Sequence, residues 1–267
     1  MALQEARIDA ATFTFIRVAA GAVAVGLIAI CRSHRQGERL SGLKSGDWLS
    51  AFALFGYAAA FSAAYINLPA GTGALLLFGA VQISMISWGF YKGERLRPSQ
   101  AVGIILACIG LVILLARGLS SPPLLSSAVM LFAGACWGIY SLRGKSSRDA
   151  VATTAGNFLR AVPFSAILII LFRGHLHADQ TGYFYAAASG AITSGVGYVV
   201  WYTVLPRLRS TTAAAVQLSV PVFAAIGGIL LLGESMTIRM VAASTTILAG
   251  IALVIFGKNA PSKRAVT

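Results

Sequence analysis

Residues 71–115, GTGALLLFGAVQISMISWGFYKGERLRPSQAVGIILACIGLVILL, decide how this chain is read, because residues 211–256 repeat their pattern 140 positions later. Without a gap, Thr72, Ala74, Ile86, Gly93, Glu94 and Gly110 fall on Thr212, Ala214, Ile226, Gly233, Glu234 and Gly250. In each copy an apolar run ends in Gly-Glu, a few polar or basic residues follow, and a second apolar run carries the matching late glycine. A hydrocarbon core of about 30 Å is crossed by a helix of about 20 apolar residues. Each copy therefore reads as two spans joined by a short polar connection.

Working outward, the same kind of run recurs at 11–30, 48–66, 123–142, 153–172 and 180–204, which makes nine with 70–91, 98–117, 211–232 and 237–256. Hydrophobic residues make up 57% of the 267 and charged residues 11%, against about 25% charged in soluble domains. The fold class expected is an all-α polytopic membrane protein. A transmembrane barrel would show ten-residue segments alternating apolar and polar, and that alternation is absent. Cys31, Cys108 and Cys136 lie in or at the end of apolar runs without paired spacing, and read as small packing residues.

The net charge of +13 is topological rather than a nucleic-acid signature. Fifteen basic residues, from Arg32 to Arg264, follow the odd-numbered spans and share one side, whereas Arg7, Arg117, Arg173 and Arg239 occupy the other. The positive-inside rule makes the first side cytoplasmic, placing the C-terminus inside, in a bacterial inner membrane. Residues 1–10 hold no apolar run of signal-peptide length. One further helix ahead of residue 11 would return the N-terminus to the cytoplasm and complete a five-plus-five arrangement.

The repeat extends further, with Phe15-Ile16-Arg17 on Phe158-Leu159-Arg160 and Gly56-Tyr57 on Gly197-Tyr198. Residues 1–117 form a first repeat of four helices, its own first helix absent, and 123–267 a second of five with a basic tail. An odd number of helices per full unit inverts the second copy. Inverted repeats place a substrate site near the midplane and support alternating access. On these residues, together with Gly93-Glu94, Gly233-Glu234 and the Trp-Gly-x-Tyr of Trp137 to Tyr140, the chain resembles the EamA-like transporters of the drug/metabolite transporter superfamily. The resemblance implies ten helices in two inverted repeats, both termini cytoplasmic, and export of small organic metabolites, amino acids or drug-like solutes.

Arg17 and Arg160 stand six or seven residues into their spans. An intramembrane charge is a functional-site hypothesis by default, although snorkelling of a long side chain to the headgroups is the plainer expectation at that depth. Glu94 and Glu234, at span ends, read as helix-capping charges before substrate or coupling-ion ligands. The substrate-binding candidates are Tyr57, Gln82, Trp137, Tyr198 and Gln217, whose polar groups need partners or a wet cavity in lipid. Tyr57, Phe61 and Tyr65 form an i, i+4, i+8 stripe, and Asn157 adds an amide. Trp48, Trp88, Tyr91, Tyr140, Trp201 and Tyr202 read as an interfacial belt or as packing residues. Pro163 and Pro221 mark helix bends, and Gly103, Gly110, Gly190, Ser194 and Gly197 read as packing positions.

The function expected is a secondary transporter whose partners are a small-molecule substrate and the lipid bilayer, with a homodimer left open and no cofactor or metal. A lipid-modifying enzyme would need a nucleophile, metal cluster or acid/base pair at the interface. The sequence has neither a His/Asp/Glu cluster at metal-ligand spacing nor a Gly-x-Ser-x-Gly elbow, so no enzyme is expected. A structural or sensory membrane protein, the remaining alternative, would bring a soluble partner domain.

Overall fold

The computed structural model describes residues 3, 7–36, 45–115, 122–232 and 236–256. Among the described residues, each of the nine apolar runs is mostly helical. They form α1 (Ala10–Gln36), α2 (Trp48–Ala64), α3 (Ala70–Tyr91), α4 (Pro98–Leu115), α5 (Leu124–Gly144), α6 (Ala150–Leu171), α7 (Gln180–Ala188), α8 (Gly197–Val204), α9 (Ser210–Gln217), α10 (Val220–Leu232) and α11 (Ile238–Phe256). Among the described residues, seven helical segments are long and apolar enough to cross a membrane, and α2 is an eighth, shorter apolar helix. An isolated antiparallel bridge pairs Ile8 with Ala178.

Two runs expected as single helices are interrupted. In 180–204, a π-helical stretch at Ser189–Val196 joins α7 to α8. In 211–232 the chain breaks between α9 and α10, where Leu218 and Ser219 N–H groups turn back to Ala215 and Val216. Pro221 explains the break. Its ring nitrogen cannot donate to the Gln217 carbonyl and its ring crowds that carbonyl, so the helix ends there in a tight turn. Pro163, by contrast, sits inside a continuous α6.

The described carboxylates hold the helix starts. Asp9, Asp47, Asp149 and Asp179 accept from the backbone N–H of Thr12, Ser50, Ala152 and Gly182, at 2.6–3.1 Å. Each satisfies an orphan donor at the N-terminus of α1, α2, α6 or α7. Ion pairs of Arg32 with Asp149 (2.9 Å) and Arg143 with Asp47 (2.8 Å) gather the ends of α1 and α5 with the starts of α2 and α6. Arg7 and Asp179 meet at the opposite end of α1. Alternating span directions, as counted from the sequence, require that grouping.

The helices cluster into two compact units, residues 1–84 with 120–208, and 85–119 with 209–267, each drawing on both halves of the sequence. In the first unit α2 packs on α5, and α1 on α6 and the π stretch. A Cβ at Gly190 would collide with the carbonyl of Arg17 and one at Gly21 with the Phe158 ring, so glycine is what lets α1 lie so close. In the second unit α4 packs on α11 backbone to backbone: a Cβ at Gly103 would stand 2.6 Å from the Gly250 carbonyl oxygen, and one at Gly250 2.7 Å from the Ala107 nitrogen. Small residues drive such contacts because lipid offers no hydrophobic incentive for helices to associate. The outer face of α4 presents Val102, Ile105, Ile109 and Val112, a stripe suited to lipid and untenable in water.

Gly250→Val should overpack α4 against α11 at a cost of about 1–3 kcal/mol, lowering the thermal midpoint in detergent by several degrees. Gly26→Ala, at a helical position with nothing within 4 Å of an added methyl, should leave the midpoint unchanged or raise it. Equal effects would contradict the packing described.

Candidate functional site

Arg17 projects from α1 into the first unit, seven residues after the helix start, and is 7% exposed. At 1.5 Å per residue it lies about 11 Å along the helix. It does not snorkel. Its Nε donates to Ser194 Oγ at 2.8 Å, and its Nη2 donates to the hydroxyls of Tyr57 (3.3 Å) and Tyr198 (3.2 Å). The guanidinium carbon stands 5.3 Å from the ring centroids of both Tyr57 and Phe61, within cation–π range. Trp137 closes the group, its ring 5.0 Å from Tyr57 and 4.7 Å from Tyr198, while Phe158 backs Tyr198 at 5.8 Å.

Sequence order explains how five segments converge here. Tyr57 and Phe61 share a face of α2 at i, i+4, and α2 packs on α5, which carries Trp137. Gly190 admits α1 to the π stretch, whose widened turns carry Ser194 beneath Tyr198. Such π segments occur frequently at functional sites. Ser194 is thus a hydrogen-bond acceptor for a cation as well as a small packing residue. Its pairing with Arg17 spans 177 positions, and nothing in the sequence signals it.

Among the described residues, no carboxylate faces Arg17. Of the eight acids in the chain, five fall among the described residues, and each accepts from the N-terminus of a helix. The fifth is Glu94, whose oxygens take the N–H groups of Ser210 (2.8 Å) and Thr211 (3.1 Å) and the Thr211 hydroxyl (3.0 Å). Capping was the role expected, but the helix capped is α9, over a hundred residues away. Burial favours the neutral acid, yet those backbone N–H groups outweigh it and hold the Glu94 pKa below the usual glutamate range. Gly233, Glu234 and the C-terminal tail lie outside the described residues.

Arg160 parts company with its repeat partner. Its Nη1 donates to the carbonyls of Ser45 (2.7 Å) and Gly156 (2.9 Å), and its guanidinium lies 5.9 Å from the Trp48 ring. Asn157 Oδ1 accepts from Asp47 N–H at 3.0 Å. Both pin the connection between α1 and α2 to α6. The difference is local: Gly156 lets the Ser45 backbone lie directly on α6, so carbonyls rather than hydroxyls meet the cation.

Among the other sequence candidates, Gln82 is buried in α3 of the first unit. Gln217, in the second, donates from Nε2 to Met85 Sδ at 3.0 Å, beside the break before Pro221. Tyr65 turns away to the Ala70 carbonyl (3.3 Å). Of the six aromatics expected in a belt or in packing, Trp48, Trp88 and Tyr91 are exposed, while Tyr140 and Tyr202 are fully buried and stacked at 4.9 Å, with the Tyr202 hydroxyl on the Tyr140 carbonyl. That aromatic layer lies next to Tyr198. Depth along a span, all that the sequence shows, does not distinguish a lipid-facing ring from an inward one.

The chain as a whole has counterparts among known proteins. The EamA-like transporter family profile matches residues 1–116 and 124–256. The chain belongs to the EamA-like transporter family. It is 47% identical over 254 residues to an uncharacterized protein of Pseudomonas aeruginosa, covering 95% of this chain and 87% of that one. It is 28% identical over 217 residues to a protein of Salmonella typhimurium named "Probable amino-acid metabolite efflux pump", covering 75% and 72%. It is 31% identical over 151 residues to the threonine/homoserine exporter RhtA of Escherichia coli, covering 53% and 49%. A solved crystal structure shares the fold at a TM-score of 0.75 and 21% identity, over 92% of this chain and 91% of the other. The chain is thus an integral membrane protein of a transporter family.

The Glu94 cap predicts a pH dependence. A carboxylate whose folded pKa is depressed stabilises above its unfolded value of about 4.3, and that contribution disappears as pH falls through the folded value. Glu94→Gln should therefore lower the thermal midpoint in detergent at pH 7, and the gap to the natural protein should narrow as pH falls from about 5 to 3. A gap that stays constant would contradict the cap.

Proposed function

We propose that this EamA-like protein is a secondary transporter that exports small organic solutes, by alternating access between two inverted repeats, 1–117 and 123–267. In this reading the Arg17 niche is part of the solute site, with Tyr57, Trp137 and Tyr198 forming its walls. Gln82, in the same unit, supplies a further polar group, and Gln217 is a polar candidate in the second unit by itself. The surplus of basic residues after the odd-numbered spans favours a cytoplasmic C-terminus in a bacterial inner membrane.

The observation that carries the proposal is the burial of Arg17 among neutral hydroxyls and rings. A charge at depth in a membrane helix costs about 2.5–3.5 kcal/mol on insertion scales. A purely structural arginine would recover much of that from a carboxylate or from backbone carbonyls, as Arg160 does from Ser45 and Gly156. Among the described residues Arg17 takes neither. The names of the Salmonella and Escherichia relatives, which concern amino-acid metabolites and threonine or homoserine, favour small metabolites over lipids or macromolecules.

Purified protein in proteoliposomes, assayed for uptake and efflux across a panel of amino acids, organic acids and amphipathic amines with and without a pH gradient, should move at least one class of solute. Gln82→Ala and Tyr198→Ala should each reduce that flux about ten-fold or more, the scale of a lost buried hydrogen bond, while Trp48→Ala should leave most of it. Absence of flux for every solute would contradict the transport reading, and equal effects of the three variants would contradict the site.

A further inference from the structure

We propose that Arg17 is the anchor for a carboxylate on the transported solute, so that the substrates are amphipathic monocarboxylates whose apolar portion lies against the rings of Trp137, Tyr57 and Phe61. This inference rests on the transport reading and names the substrate class for its site.

Three features of the niche carry it. The first is unbalanced charge. Arginine stays protonated in proteins, and the five described carboxylates are all engaged at helix N-termini. The niche therefore holds a desolvated positive charge faced by hydroxyls. An entering anion neutralises it, whereas an ammonium group is repelled.

The second is donor accounting. A guanidinium has five N–H donors, of which Nε meets Ser194 and Nη2 meets Tyr57 and Tyr198. Nη1 has no hydrogen-bond partner among the described residues. The two phenol contacts, at 3.2 and 3.3 Å, are longer than the usual charge-assisted bond of about 2.7–2.9 Å. A carboxylate can thus bind Nη1 and, by displacing one of the long phenol contacts, complete the planar fork of Nη1 and Nη2, the geometry for which arginine is suited. Both phenols accept from Nη2, and their hydroxyls lie beside each other and Ser194, so one of them can turn its O–H toward an arriving anion. The anion would meet guanidinium N–H groups and a tyrosine O–H group together.

The third is shape. Trp137 lies against both Tyr57 and Tyr198, and Phe61 lies over the guanidinium, so the surface around the cation is aromatic. A carboxylate attached to an alkyl or aryl group matches it, and a polyanion does not.

The test uses the full chain in detergent and calorimetric titration with two probes, 3-phenylpropionate and 3-phenylpropionamide, which differ only in the charged group. Binding of the acid should be at least ten-fold tighter than that of the amide, the lower end expected of hydrogen bonds to a charged group. Arg17→Gln should abolish that preference, and Arg17→Lys should retain part of it. Should Arg17→Gln fail to fold, Tyr198→Phe, which removes one O–H and keeps the ring stack, should cut the acid preference several-fold. Equal binding of acid and amide, failure of the acid to bind at millimolar concentration, or a preference that survives Arg17→Gln or Tyr198→Phe would overturn the proposal. Phosphatidylglycerol micelles are a further arm. If they displace the acid, the anion held is a lipid headgroup and the proposal is also overturned. Proteoliposomes that move only amines or neutral solutes would leave transport standing without the carboxylate anchor. Acid binding without flux of any solute would remove transport and leave the anchor.

Discussion

The organisation of the first unit follows from one buried charge that no described carboxylate balances. Arg17 is buried about two turns inside α1, cannot lose its proton, and is met by Ser194, Tyr57 and Tyr198 rather than by an acid. Holding it requires α1 to touch the π stretch, which Gly190 permits, and requires α2 and α5 to bring their aromatic faces together. The packing of the first unit and the chemistry of its site are therefore the same set of contacts.

The acids show the complementary economy. Asp9, Asp47, Asp149, Asp179 and Glu94 each close the N-terminus of a helix, where a carboxylate satisfies orphan N–H groups and the positive end of the dipole. Two of these caps, Asp47 and Asp149, double as partners for Arg143 and Arg32, so polar chemistry at the membrane surfaces is used up locally. The two repeat arginines divide accordingly. Arg160 secures a connection through backbone carbonyls, and Arg17 is left facing groups that can also serve a solute.

Much of the fold was legible in the sequence because a bilayer imposes a length and a polarity that soluble folds do not. Among the described residues the nine apolar runs are mostly helical, and the twin Gly-Glu segments pointed to the family that the profile match identifies. Burial of individual aromatics was not legible. Tyr140 and Tyr202 stand at the same depth as Trp48 yet face inward, since depth follows from sequence position and facing follows from which helix is the neighbour. Nor was the snorkelling of Arg17, reasonable from its depth alone, tenable once Ser194 came within reach across 177 positions. The π stretch that brings it there has only its small residues, Ser189, Gly190, Ser194 and Gly195, as a trace in the sequence.

The central claim is that solute binds at the Arg17 niche, and Trp137 is placed to report it. The chain has four tryptophans, so combining Trp48→Phe, Trp88→Phe and Trp201→Phe leaves Trp137 as the single indole, 4.7 Å from Tyr198 and 5.0 Å from Tyr57. Titrating that variant with 3-phenylpropionate, excited at 295 nm where only the indole absorbs appreciably, should give a saturable change in Trp137 emission that Arg17→Gln removes. Solute binding that registers by calorimetry while Trp137 emission stays constant would place the site elsewhere and contradict the account.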